Sequence, residues 1–398
     1  MAALNPADAH EVRAIVGEAM AAGATLAVEG GGSKRGLGRP VAATHTLSLV
    51  RLDGIIDYAP SELVLTARAG TALSVIEALL AQHGQHLAFE PPDTSAQLGP
   101  GAPTLGGLVA CNLAGPRRLR AGACRDHVLG IEAVTGFAEI VKAGGKVVKN
   151  VTGYDLPKLF AGSFGTLGVM TAITMKVLPR PEKTRTVLVF GLDGAAAGSL
   201  MIELARGPLD VSALAYVPRA VAARSAVGYV AGAGSSVLAA RLEGPPRSVL
   251  ARTEAARARL GAHAPVEELH GHNSAALWRE IGFGALLAAP ASRPVWRLGV
   301  PPADGAAALR ALEQAGAEGY LDAAGGTLWA AAEEPVPVHD LAARHGGTAM
   351  LVRAPAEARA RMPVFAPQAP ALAALERRVK QAFDPKGVFE PGRRVEGV

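Results

Sequence analysis

The chain has 398 residues, 49% of them hydrophobic and 19% charged, which is material for two or three packed domains and excludes a disordered chain. Lys and Arg number 40 against 35 Asp and Glu, and this scattered net charge of +5, with aromatics at only 4%, offers no basic track or row of stacking rings for nucleic acid. Glycine is the outlier, at 47 of 398 residues or about 12% against the usual ~7%, and it has no collagen period.

In chain order, Val12, Ile15, Val16 and Met20 recur at helical spacing and predict a helix over 6–22. A short strand at 25–28 runs straight into Glu29-Gly30-Gly31-Gly32-Ser33-Lys34. Strands are expected at 46–50 and 63–67, a helix at 71–82, and then a long glycine- and proline-rich stretch over 90–116. Strands follow at 128–134, 138–142 and 146–149, a further glycine cluster at 153–168, and an alternating strand at 169–178. Pro179-Arg180-Pro181 breaks the pattern and marks a boundary. Beyond it, β-like runs at 187–192, 237–242, 295–300 and 327–332 mix with Ala-rich helix candidates at 195–206, 248–261 and 304–315, an α+β pattern. Residues 354–370 hold four prolines and read as a linker, before a helix at 371–383 and the tail Asp384-Pro385-Lys386-Gly387-Val388-Phe389-Glu390-Pro391-Gly392-Arg393.

The informative glycines fall in three places. In Glu29–Lys34, successive backbone N–H groups can converge on one point, a concavity suited to phosphate, with Ser33 and Lys34 adding a hydroxyl and a charge. In the stretch 99–115, Thr104, Gly106 and Gly107 can bring backbone against a pyrophosphate. In 153–169, Gly165 and Gly168 allow close approach to a flat ring. A P-loop is excluded, because Gly32-Ser33-Lys34 lacks the required spacing and Pro40 soon follows; no G-x-G-x-x-G follows a strand as a nicotinamide-type fold demands.

The three clusters in this order resemble the FAD-binding domain of the vanillyl-alcohol-oxidase, or p-cresol methylhydroxylase (PCMH), type. The stretches Val-Lys-Asn-Val-Thr-Gly-Tyr-Asp-Leu at 148–156 and Leu-Phe-Ala-Gly-Ser-Phe-Gly-Thr-Leu-Gly-Val-Met-Thr-Ala-Ile-Thr-Met-Lys-Val-Leu-Pro-Arg-Pro at 159–181 are most similar to the FAD-binding E subunits of bacterial glycolate oxidases. The resemblance covers about 10–180 and the tail at 383–393, and is weak between them. It implies an α+β fold: a PCMH-type FAD-binding domain of two α+β subdomains over 1–180, an α+β cap-like domain over 181–353, and a linker, helix and C-terminal return over 354–398. It implies that Gly30, Gly31, Gly32, Ser33 and Lys34 hold the FAD pyrophosphate from one side and Thr104, Gly106 and Gly107 from the other, with Glu29, at the head of the first cluster, also among the cofactor-binding residues. Pro92, Asn112 and Gly115 would line the neighbouring path, with Gly165, Gly168 and Val169 at the flavin or adenine end. Ser33 stands where covalent relatives often carry a flavin-linking histidine, so the FAD is expected to be non-covalent. Cys111 and Cys124 are expected to be small buried thiols. Lys149, Tyr154 and Arg393 are further active-face candidates, and Glu390 stands where the family usually has Asn.

Catalytic hydroxyacid dehydrogenases of this fold usually carry a His-rich metal segment in the second domain, and this chain has none. Its nearest feature is His270-Gly271-His272-Asn273, expected in a loop and not counted as a metal site, so the catalytic residues are not assigned. The resemblance therefore implies an FAD-binding subunit of a heteromeric glycolate or other 2-hydroxyacid oxidase. A sister flavin subunit would oxidise the substrate, and an iron–sulfur subunit would carry electrons onward. Two cysteines are too few for a cluster in this chain. Two readings compete: a stand-alone FAD-dependent hydroxyacid or alcohol dehydrogenase, with His127, His270 or His272 as base, and a non-catalytic scaffold. With acidic residues before any apolar N-terminal run and no long apolar span, a cytoplasmic chain is expected, meeting the inner face of the bacterial membrane only through partners.

Overall fold

The structure, a computed structural model, describes residues 3–146 and 153–394. The first helix is Ala9–Ala22, shorter at its start than expected because Asp8 caps it, accepting from the N–H groups of His10 and Glu11. The strand Leu26–Glu29 pairs in parallel with His45–Ser48, which in turn pairs in parallel with Ala3–Leu4. The C-terminal tail joins this small sheet. Leu26 N–H donates to the Val388 carbonyl (2.7 Å), and Glu390 N–H to the Leu26 carbonyl (2.9 Å). Buried Lys380 and Asp384 fix the tail, since Lys380 Nζ donates to the Phe389 carbonyl (2.9 Å) and Asp384 accepts from the N–H groups of Val388 and Phe389.

A five-stranded antiparallel sheet runs in the order Ile55–Ala59, Val64–Arg68, Val169–Lys176, Val128–Val134, Ile140–Gly144. Its last strand starts two residues later than expected, because Ala138 sits at φ 57° in the turn before it. Most of the strand expected at 146–149 lies outside the described residues. The glycine- and proline-rich stretch over 90–116 contains two short helices, Ser95–Leu98 and Leu105–Ala110; Thr104 caps the second through its side chain.

The third sheet has eight antiparallel strands, ordered Val266–His270, Lys183–Phe190, Val237–Gly244, Ala213–Val217, Glu318–Asp322, Thr327–Ala331, Val295–Gly299, Thr348–Arg353. Four of these strands (Ala213–Val217, Val266–His270, Glu318–Asp322, Thr348–Arg353) were not expected from the sequence. Ala213–Val217 shows why: Leu214 and Tyr216 pack under the helices Gly194–Arg206 and Gly305–Gln314, while Ala213, Ala215 and Val217 join the core shared with the N-terminal sheets. A strand buried on both faces has no polar alternation to reveal it. His270 ends a strand and Gly271–Gly282 is a helix, so the His-x-His segment is a strand–helix junction and not a loop.

An ion-pair network ties the eight-stranded sheet to the N-terminal part. Arg241 donates through both terminal nitrogens to Glu90 (2.8 and 2.8 Å), and Arg117 donates through Nε and Nη2 to Glu243 (2.8 and 2.7 Å). Arg117 Nη1 also meets His86 Nδ1 at 3.1 Å. Burial first, and then the Arg117 charge, push the His86 pKa down to about 4. Because the unfolded chain binds the proton near pH 6.5 and the folded chain only near 4, this histidine's contribution is complete above 6.5 and is lost as the pH falls towards 4. Buried His127 is shifted in the same direction. Urea midpoints measured from pH 7 to pH 4.5 should therefore fall on acidification, and His86→Asn should flatten that fall.

Candidate cofactor cleft

The N-terminal sheets, the helix Leu105–Ala110, the turn at 161–168 and the C-terminal tail meet around one cleft. Its wall includes Glu29, Gly30, Gly31, Gly32, Ser33, Lys34, Thr104, Gly106, Gly107, Gly165 and Gly168, bringing together eleven of the fifteen residues singled out from the sequence. The other four lie elsewhere. Pro92 and Gly115 face a second cleft against the eight-stranded sheet, where Gly115 N–H donates to the Glu90 carbonyl (2.8 Å). Asn112 lines a third groove and accepts from Arg125 N–H (2.9 Å), while Val169 is fully buried at the start of its strand. Tyr154 is exposed, and Lys149 lies outside the described residues.

The two phosphate-type loops touch each other. Gly31 bridges to Ala102, and a Cβ on Gly31 would stand 2.0 Å from the Ala102 carbonyl oxygen; a Cβ on Gly30 would stand 2.2 Å from Thr104 Oγ1. Neither obstacle is the end of a flexible side chain, so any larger residue drives the loops apart. Gly31→Ala should consequently yield a chain with little or no bound flavin and faster proteolysis between 95 and 110, measured by FAD content and limited chymotrypsin digestion, for which Leu98, Leu105 and Leu108 offer sites.

The charges in the cleft are distributed unequally. Glu29 is paired with Arg35. Lys34 is only 8% exposed, its ammonium donates to Ser33 Oγ (3.1 Å), and among the described residues no carboxylate pairs with it. Burial lowers its pKa, the signature of a cation stripped of water without compensation. A buried, unneutralised cation beside glycine backbone fits a phosphate-bearing ligand and would be costly without one. Cys111 also lines this cleft, which the sequence did not reveal; burial pushes its thiol up to about 11, leaving it protonated and a poor nucleophile at neutral pH. Cys124 is buried, and both thiols are free. Ala69, Phe164 and Met170 add apolar wall, and Glu390 and Arg393 of the C-terminal tail line it as well; the apolar residues carried no chemical signal by which the sequence could have marked them.

The second cleft holds His86, Glu90, Arg117, Arg241, Glu243 and His272. His270, just before it in the chain, pairs with Glu268 at 3.1 Å. Among the described residues no group of three or more His, Cys, Asp or Glu side chains could hold a metal ion, and no helix is long and apolar enough to cross a membrane.

Residues 2–144 match the FAD binding domain family. The chain is similar to the glycolate oxidase subunit GlcE of Escherichia coli (strain K12), with 37% identity over 95% of this chain and 95% of that one. It is also similar to the glycolate oxidase subunit GlcD of Bacillus subtilis (strain 168), with 39% identity over 33% of this chain and 28% of that one. Among solved structures, p-cresol methylhydroxylase with substrate bound superposes with a TM-score of 0.69 at 16% identity, covering 99% of this chain and 88% of that one, a likeness of fold. The fold is thus α+β and PCMH-type.

Proposed function

This chain belongs to the family of the glycolate oxidase subunit GlcE, and from that premise we propose that it is the FAD-binding subunit of a heteromeric glycolate or related 2-hydroxyacid oxidase. The cofactor is FAD, as in the domain family matched by its first third. The observation that carries the site is Lys34, a buried cation with no counter-anion among the described residues, set beside Gly30–Gly32 and facing Gly107. In this reading Lys34, Ser33 and the glycine backbone hold the pyrophosphate, and Thr104, Gly106 and Gly107 close on it from the other side. Gly165 and Gly168 leave room for the flat ring system. Ser33 has no ring nitrogen with which to link a flavin, and Cys111 is held as a thiol, so the cofactor is non-covalent. When bound, FAD supplies a two-electron acceptor that can pass its electrons on singly.

The hydroxyacid itself is oxidised on a sister flavin subunit, and electrons leave through an iron–sulfur subunit. What favours this over a stand-alone dehydrogenase is the state of the second cleft. Its buried Arg241 and partly buried Arg117 are each committed to a glutamate by two hydrogen bonds and are not free to take a substrate carboxylate. Attachment to a membrane would come through the partner subunits.

Affinity purification of the tagged chain from its own cells tests this, with flavin and iron counted per chain. The expected complex contains a second flavoprotein and an iron–sulfur protein, and it oxidises glycolate or a related hydroxyacid. Full hydroxyacid oxidation by the isolated chain would overturn the subunit reading in favour of the stand-alone dehydrogenase.

A further inference from the structure

Glu390 is a buried acid on the wall of the cofactor cleft, and its surroundings leave half of its carboxylate unused. The side chain is 2% exposed. Oε1 accepts from Val28 N–H at 2.6 Å, while Oε2 is buried without a hydrogen-bond partner. Arg393 Nε stands 3.4 Å from Oε2 and is itself buried without a hydrogen-bond partner, so the two face each other as an ion pair that is not closed. The backbone holds Glu390 at φ 47°, a conformation that disfavours a residue with a long side chain, and the bonds of Leu26 to Val388 and Glu390 fix it there. Opposite it stands Gly165, at φ 78°, where a Cβ would meet Glu390 Cγ in ordinary contact at 3.5 Å. Held only by the open ion pair with Arg393 and without a hydrogen bond, Glu390 Oε2 would be repelled by a pyrophosphate and is better placed beside an uncharged ring.

We propose that Glu390 is the cofactor-facing acid of this site and the group that takes up a proton when the bound flavin is reduced. The inference rests on the FAD reading given above. In the reaction, two electrons arrive from an external donor: a hydroxyacid through the complex, or dithionite in the test. The flavin takes one proton, and the Glu390 carboxylate takes a second to become the neutral acid. No other bond is made or broken at Glu390. The groups that set its charge come from every neighbouring element: Arg393 on its own tail, Lys380 on the last helix, Glu29 on the parallel strand, and Cys111 after the helix Leu105–Ala110. Burial raises its pKa, opposed by Arg393, the Val28 N–H and Lys380, so the proton is held more readily than by an ordinary glutamate. Negative charge accumulating on a reduced flavin would raise it further.

The test is the flavin midpoint potential of the FAD-loaded chain, measured by dithionite titration against reference dyes from pH 6 to pH 9. Glu390→Gln keeps the oxygen that accepts from Val28 but cannot titrate. Glu390→Asn suits the left-handed backbone and also cannot titrate. Over part of this range the native chain should show a slope steeper by about one proton per two electrons than either variant. Equal slopes in all three FAD-loaded proteins would overturn this inference and leave FAD binding standing. Failure of the native chain to take up FAD would overturn the cofactor assignment and this inference with it.

Discussion

Lys34→Met should weaken FAD binding about ten- to a hundredfold while leaving the FAD-free chain at least as stable as the native one. A hydrogen bond to a charged group contributes roughly 1.5–3 kcal/mol, and each ~1.4 kcal/mol is tenfold in affinity. The gain in the free chain has a separate cause. Lys34 is a buried ammonium answered by one hydroxyl, and methionine fills similar space without a charge to desolvate. The two effects therefore run in opposite directions, which a merely misfolded variant would not reproduce. Isothermal titration with FAD, together with thermal melts with and without the cofactor, reads both. Lys34→Glu should go further and abolish binding, since it sets a carboxylate against the pyrophosphate.

Arg241→Met should destabilise the chain by roughly 3–5 kcal/mol, the range seen when one partner of a buried ion pair is removed. Arg241 is 2% exposed, spans Glu90 with both terminal nitrogens, and lies 4.8 Å from the Trp278 ring centroid. Removing it leaves the partly buried Glu90 with only Arg117, through its N–H at 2.9 Å and its charge, to answer it. Burial is the largest single influence and would raise the Glu90 pKa; the charge and hydrogen bonds of Arg241, with those of Arg117, together outweigh it, and the net shift is downward. The pair therefore stabilises the fold above the ordinary glutamate pKa, and that stability is lost as the pH falls below it. Combining Arg241→Met with Glu90→Gln should recover much of the loss, because the stranded charge is gone. Urea unfolding of the two single variants and the double variant measures this coupling.

The parts of the molecule legible in the sequence were those where backbone geometry restricts residue type. Gly30 and Gly31 stood out because only glycine lets the 30–34 and 101–107 loops touch, and the structure shows that contact directly. The amphipathic first helix was legible through Val12 and Val16, both fully buried. Ala213–Val217 was not, since it is apolar on both faces and its period vanishes. Nor could the sequence pair Glu90 with Arg241 or Arg117 with Glu243, because nothing local marks a partner more than a hundred residues away. The isolation of Lys34 was equally invisible: a lysine after three glycines reads the same whether or not an acid faces it. Glu390 was noticed as a departure from its family's usual residue, but its open oxygen depends on how the tail lies against Leu26–Glu29.

The central claim is that this chain holds one FAD, non-covalently, in the cleft around Lys34. Its most direct test is to saturate the purified chain with FAD, remove the excess by gel filtration, precipitate the protein with acid, and quantify flavin in supernatant and pellet. The account predicts a yellow protein that releases about one FAD per chain into the supernatant. A colourless protein that retains no FAD, or flavin that stays with the pellet, would contradict it.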